Sequence, residues 1–231
     1  MERIGIIAAM GVEVSLLVEA LQGGTEETFG GMHFYLGRIG KADIVLMQCG
    51  IGKVSAAAGT QAMITKYQPS RIINTGCAGA LAKDLKIGDL VLAEETVEWD
   101  MDTTDLGDPR GYIQALDRIR IPADVETVSW VASAIPEEYT VRRGLIASGD
   151  QFVSRDSQRR IILDSFPDAL CAEMEGAAVG HVCAQNGVPF CVVRCMSDTA
   201  DGDSGVDYFT FSRHAAETSA SILIRLLSEK M

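Results

Sequence analysis

Short apolar runs alternate along the chain with stretches whose apolar positions recur every three or four residues. Ile4-Gly5-Ile6-Ile7-Ala8 predicts a buried strand. Val14, Leu17, Val18 and Leu21 then fall at i, i+3, i+4 and i+7, one face of a helix that Gly23-Gly24 should end. His33 to Arg38 and Asp43 to Gln48 predict a hairpin around Gly40, and the Ala-rich stretch Val54 to Lys66 a helix. Arg71 to Asn74, Asp89 to Ala93, Arg143 to Ala147 and Leu170 to Ala172 read as strands. Glu175 to Gln185 reads as a helix closed by Asn186-Gly187, Pro189 to Met196 as a buried strand, and Ser212 to Lys230 as an amphipathic helix. Strands that are continuously apolar are covered on both faces, so the pattern predicts an α/β layer fold with a mostly parallel sheet. No repeat, low-complexity tract or Pro/Ser-rich linker interrupts it, and one domain spanning residues 1–231 is expected.

Composition narrows the function. At 231 residues, 47% hydrophobic and 23% charged, the chain can bury roughly 70–75% of its unfolded surface and needs no disulfide or metal staple. Twenty Lys and Arg against 32 Asp and Glu give a net charge of −12, which disfavours nucleic acid and anionic membranes as partners. No apolar run approaches the ~18 residues of a membrane span. The opening Met1-Glu2-Arg3-Ile4 lacks the basic and apolar regions of a secretory signal, so a cytoplasmic setting with reduced thiols is expected. The six cysteines include no C-x-x-C pair. His181, Cys183, Cys191 and Cys195 form a conceivable zinc set, but the paired spacing is missing and core packing is the expected role. Between residues 94 and 108, Glu94, Glu95, Glu98, Asp100, Asp102, Asp105 and Asp108 occur without a base, which predicts a solvated loop. Their spacing is not that of a calcium loop.

In α/β folds ligands sit beyond the carboxyl ends of the strands. Small or acidic residues come directly after each predicted strand: Ala9-Met10-Gly11-Val12-Glu13, Thr75-Gly76-Cys77-Ala78-Gly79, Ser148-Gly149-Asp150-Gln151-Phe152, Glu173-Met174-Glu175 and Arg194-Cys195-Met196-Ser197-Asp198. An acid at a helix start is commonly a dipole partner or cap, so the convergence carries more weight than any one residue. Gly76 to Gly79 is too short for a dinucleotide fingerprint. Gly50-Ile51-Gly52-Lys53 is not a phosphate loop, since Met47 and Val54 stand where Gly and Ser or Thr are needed. No G-x-S-x-G elbow is present.

At these residues the chain resembles the bacterial 5′-methylthioadenosine/S-adenosylhomocysteine nucleosidases of the nucleoside phosphorylase-like superfamily. The matching stretches are Ile4 to Met10 with Glu13, Gly50 to Lys53, Ile73 to Gly79, Gly144 to Phe152, Ala172 to Gly176 and Pro189 to Asp198, in family order. The resemblance implies a single three-layer α/β/α domain with a mixed, mostly parallel central sheet. It also implies a homodimer, and hydrolysis of an adenine N-glycosidic bond with no cofactor and no metal. By the same resemblance Asp198 protonates adenine N7 and Glu13 activates water. Glu175 grips the ribose hydroxyls, Met174 packs on the ribose, Phe152 stacks on the purine, and the Val153 backbone reads its edge. Arg194 would keep Glu175 ionised. Ala9, Met10 and Ile51 line the sugar and thioether side, and Cys77, Ser197 and Tyr208 complete the substrate site.

Three departures from the family pattern stand out. Cys77 replaces a Ser or Thr, and a thiol is the weaker hydrogen-bonding group. Gly11-Val12 replaces two of the usual acids before Glu13, and Tyr208 stands where Phe is common. Three other readings remain: a purine nucleoside phosphorylase, a nucleosidase for futalosine-type or other 5′-modified nucleosides, and a nucleoside-binding sensor without turnover. Phosphorolysis needs cations for phosphate, where this chain places Met10 to Glu13 and Asn74. Cys77 as a covalent nucleophile would need a paired His, and none is evident.

Overall fold

A computed structural model describes residues 2–200 and 204–229. The first strand, β1 (Arg3–Ala8), lies at the centre of the sheet because its side chains are buried on both faces. It pairs in parallel with β4 (Ala42–Gln48) on one side and β5 (Arg71–Ala80) on the other. Beyond β4 the hairpin predicted around Gly40 is present as β3 (Met32–Ile39), and β2 (Gln22–Phe29) forms the outer edge. Beyond β5 the sheet curls. β10 (Phe190–Asp198) runs parallel to β5 and antiparallel to β6 (Leu90–Glu98). β6 pairs with β8 (Val141–Ser148), β8 with β9 (Ala169–Glu173), and β9 returns to β5. These five strands close into a small ring, and the short β7 (Arg120–Pro122) pairs with β6.

Helices cover both faces. On one, α1 (Gly11–Ala20) packs on α6 (Ser204–Glu229), which lies across β10 and β5. On the other, α2 (Lys53–Tyr67) packs on α5 (Gly176–Asn186). Small residues are buried on both helices, Ala56, Gly59 and Thr60 on α2 and Ala177, Ala178 and Gly180 on α5, and the two glycines make room for sheet side chains, Met47 beside Gly59 and Phe190 beside Gly180. Helix α5 ends at Gly187, whose φ of 66° is the left-handed cap that Asn186-Gly187 predicted. Helices α3 (Val125–Ala132) and α4 (Asp156–Ser165) complete the cover. The α/β layer fold predicted from the alternation is therefore present, in the three-layer form that the resemblance implied.

Several boundaries differ from the sequence reading. Helix α1 stops at Ala20, and Gly23-Gly24 lie inside β2 rather than ending the helix. Strands β5 and β10 run on through Ala80 and Asp198, so the small and acidic residues expected beyond them lie within them. The acidic stretch is not wholly a solvated loop. Residues 94–98 belong to β6, with Val97 and Glu98 buried, because Glu98 meets Lys53 and His181. Helix α6 begins eight residues earlier than predicted, and Lys230 lies outside the described residues.

Candidate active site

Glu13 occupies the first turn of α1, and its carboxylate faces the N-terminal end of its own helix. Oε2 accepts from the Ala9 and Met10 amides, both at 2.9 Å. Oε1 accepts from the Cys77 amide on β5 at 3.2 Å, with Cys77 Sγ 3.6 Å away. The capping role is thus real, and it leaves the buried Glu13 side chain on the wall of a cavity of about 480 Å³. Two further predicted acids line the same cavity. Glu175 is the N-cap residue of α5 and Asp198 ends β10. Asp198 Oδ1 accepts from the Ala200 amide and Oδ2 from the Ser197 hydroxyl, both at 2.9 Å, which fixes the carboxyl plane.

Ala9, Met10, Ile51, Cys77, Phe152, Met174, Ser197 and Tyr208 also line the cavity. Tyr208 leans on Phe152 with ring centroids 5.3 Å apart, and its hydroxyl lies 3.1 Å from Met10 Sδ. The side chains of Val153 and Arg194 are not among its lining. The Val153 side chain packs among Val97, Trp99 and Leu145. Arg194 stands fully buried behind the wall, where it donates to Asn74 Oδ1 at 2.6 Å and to Glu173 Oε2.

Glu173 is the residue the sequence reading passed over. A buried arginine needs a carboxylate partner, and the sequence reading gave that place to Glu175. Arg194 does reach Glu175 Oε2 at 3.5 Å, yet Glu173 is the closer partner. Glu173 also accepts from the Ser148 hydroxyl and from the Glu175 and Gly176 amides at 3.1 and 2.7 Å, so it holds the N-terminus of α5. The available signal was Glu173-Met174-Glu175, two acids at a strand end, and both line the cavity. Ala78, Gly79, Ala172 and Phe209 are further lining residues not anticipated.

Electrostatics correct one expectation. Burial pushes the Glu175 carboxyl up to about 7, and Arg194 only partly offsets this, so the cation does not keep it fully ionised at neutral pH. Burial also opposes the charge on Arg194, but Glu173, Glu175 and Glu13 outweigh it and raise its pKa. Burial and the Glu13 charge push the Cys77 thiol up, which keeps it protonated and argues against a nucleophilic thiolate.

Two glycines of β5 make room for this constellation. A Cβ at Gly76 would collide with Arg194 Nη1 and stand 2.6 Å from Glu13 Oε1. One at Gly79 would stand 2.6 Å from Asp198 Oδ1. Among the described residues the cavity is lined by four acids and by no Lys, Arg or His. The conceivable zinc set is scattered. Cys183 and Cys191 sit in the main core, Cys195 in a separate cluster, and His181 Nδ1 lies 2.8 Å from Glu98. No group of three or more metal-ligating side chains occurs among the described residues, and no described helix is long and apolar enough to cross a membrane.

A sequence model of the phosphorylase superfamily matches residues 3–228. A 5′-methylthioadenosine/S-adenosylhomocysteine nucleosidase of Shewanella halifaxensis is 39% identical over 229 residues, 98% of this chain and 99% of that protein. The crystal structure of such a nucleosidase from Neisseria meningitidis, in complex with methylthio-immucillin-A, superposes with a TM-score of 0.95 at 33% identity, covering 99% of both chains. A futalosine hydrolase of Helicobacter pylori superposes with a TM-score of 0.93 at 33% identity, covering 99% of this chain and 98% of that one.

Proposed function

Because the chain belongs to the phosphorylase superfamily and, within it, to the 5′-methylthioadenosine/S-adenosylhomocysteine nucleosidases, we propose a division of labour among its own residues. The enzyme hydrolyses the N-glycosidic bond of these nucleosides and releases adenine and the 5-thio-substituted ribose. Water attacks the anomeric carbon and Glu13 takes its proton. Asp198 delivers a proton to adenine N7, so the purine leaves neutral as the bond to N9 breaks. General-acid help of this kind contributes about 10²–10⁴ in rate. Glu175 holds the ribose hydroxyls, whose contacts strengthen as the sugar becomes oxocarbenium-like. Met174 packs on the ribose, Phe152 stacks on the base, and the Val153 backbone reads the base edge. Met10, Ile51 and Tyr208 receive the 5′-thioether.

The observation that carries this reading is the convergence of Glu13, Glu175 and Asp198 on one cavity with no cation in its wall. Phosphate as nucleophile would meet carboxylates there and no guanidinium, so water is the better attacker. Adenine release from methylthioadenosine and S-adenosylhomocysteine, measured by absorbance with and without phosphate and with a chelator, tests it. Equal rates in all three conditions are expected. Ribose-1-phosphate among the products would overturn the hydrolytic assignment, and binding without any release would leave a sensor instead. The likeness to a futalosine hydrolase at 33% identity makes futalosine the second nucleoside to offer.

The working unit is a homodimer. Support comes from large apolar side chains left in solvent on and near the cavity rim: Ile51 and Phe209 in its lining, and Val54 beside it on α2, are 57%, 86% and 79% exposed.

A further inference from the structure

Gly50-Ile51-Gly52-Lys53 is not a phosphate loop, yet it sits against the proposed ribose grip. Helix α2 starts at Lys53, and its N-cap, Gly52, has no side chain to satisfy the first amides. Those amides are met from other elements. The Gly52 amide donates to Glu175 Oε1 at 2.9 Å, and the Lys53 amide donates to Asp150 Oδ1 at 2.8 Å. Gly52 has a φ of 99°, a backbone region that side chains disfavour, and a Cβ there would stand 3.0 Å from Asp150 Oδ1. The turn therefore depends on a glycine and on two carboxylates brought to it from the end of β8 and the start of α5.

Those carboxylates have company. The Asp150 amide donates to Asp100 Oδ2 at 2.8 Å. The Lys53 ammonium lies 2.6 Å from Asp100 Oδ1 and 3.1 Å from Glu98 Oε2. Glu98, Asp100, Asp150 and Glu175 thus crowd one helix start, whose dipole offsets only about half a charge. Arg194 meets Glu175 from behind and His181 lies against Glu98, while Lys53 is the cation that touches both Glu98 and Asp100. Its ammonium and the two carboxylates it touches are largely shielded from solvent, where an ion pair is screened less than at the surface.

We propose that Lys53, through Asp100 and Asp150, is a positioning residue for Glu175: it fixes the Gly50–Lys53 turn so that the Gly52 amide stays on the carboxylate that grips the ribose. The inference rests on the assignment of Glu175 given above. A role confined to capping α2 makes a different prediction, because a plain cap stabilises the fold without regard to what Glu175 does.

A double-mutant cycle with Lys53→Met and Glu175→Ala separates the two. In the wild-type background Lys53→Met should lower kcat/KM for methylthioadenosine about tenfold, chiefly through KM, as expected for weakening one hydrogen bond to a charged group. In the Glu175→Ala background the same change should cost less than about twofold, since coupled residues do not add. The acid limb of the kcat/KM profile should also move to higher pH in Lys53→Met alone. Equal losses in both backgrounds, or an unchanged profile with only a lower Tm, would overturn the positioning role. Asp100→Asn, nearly isosteric, carries the same expectations and replaces Lys53→Met should that variant not fold. A wild-type enzyme that releases no adenine would instead bring down the nucleosidase reading, and this inference with it.

Discussion

Glu175 shows how one side chain can be set by two opposing effects. Its ordinary carboxyl value of 4.5 is raised to about 7 by burial, against the pull of Arg194 and of the Gly52 amide. The native state thus holds this proton more tightly than the unfolded chain does. Its contribution to stability is complete below about pH 4.5 and is lost as pH rises through about 7. Glu175→Gln should remove that dependence, so its Tm relative to wild type should climb between about pH 5 and 8 by calorimetry. Because the ribose grip uses the carboxylate, kcat/KM of the wild type should fall on the acid side with a midpoint near 7, and the Gln variant should lose that limb. Asp198→Asn and Glu13→Gln should each cut kcat by about 10²–10⁴ while circular dichroism stays native. Cys77→Ser puts a stronger donor opposite Glu13 Oε1 and should leave kcat within about threefold, since the thiol already sits 3.6 Å from that oxygen.

Strands explain both what could be read beforehand and what could not. The first halves of β5 and β10 are apolar and legible, as Arg71 to Asn74 and Pro189 to Met196 show. The second half of β5, Thr75 to Ala80, is rich in Gly and Ala, which on propensity alone signals the end of a strand. It continues because β10 pairs along it and β9 takes up its last two residues. The small side chains leave space for Glu13, Arg194 and Asp198. Gly79→Ala should accordingly displace Asp198 and cost at least about tenfold in kcat with a small change in Tm, a kinetic penalty from misplacement of a kind documented for catalytic groups. Strand β2 escaped notice because almost all of it is exposed and polar, and α4 because only Ile162 is buried along it. For most site residues, position at a strand end and chemical type were legible. Glu173 shared that position, but its part did not show, because its pairing with Arg194 and its hold on the start of α5 arise only when separate elements meet.

At the scale of the molecule, the apolar rim and the acidic floor make separate predictions. Sedimentation should give a dimer, and Val54→Glu, which puts a charge on a residue 79% exposed on α2, should weaken it. A change confined to solvent would be neutral within about 0.5 kcal/mol. The alternation of strand and helix foretold the layers, but not the curling that joins β10 to β5, since pairing between distant segments leaves no local trace in a sequence. That curling leaves β2 as the long open margin of the sheet, bearing Glu26 and Glu27. Charges on such margins deter strand-to-strand accretion. Glu26→Gln would take one guard from that margin, so fibrous aggregates of the variant should nucleate along residues 22–29.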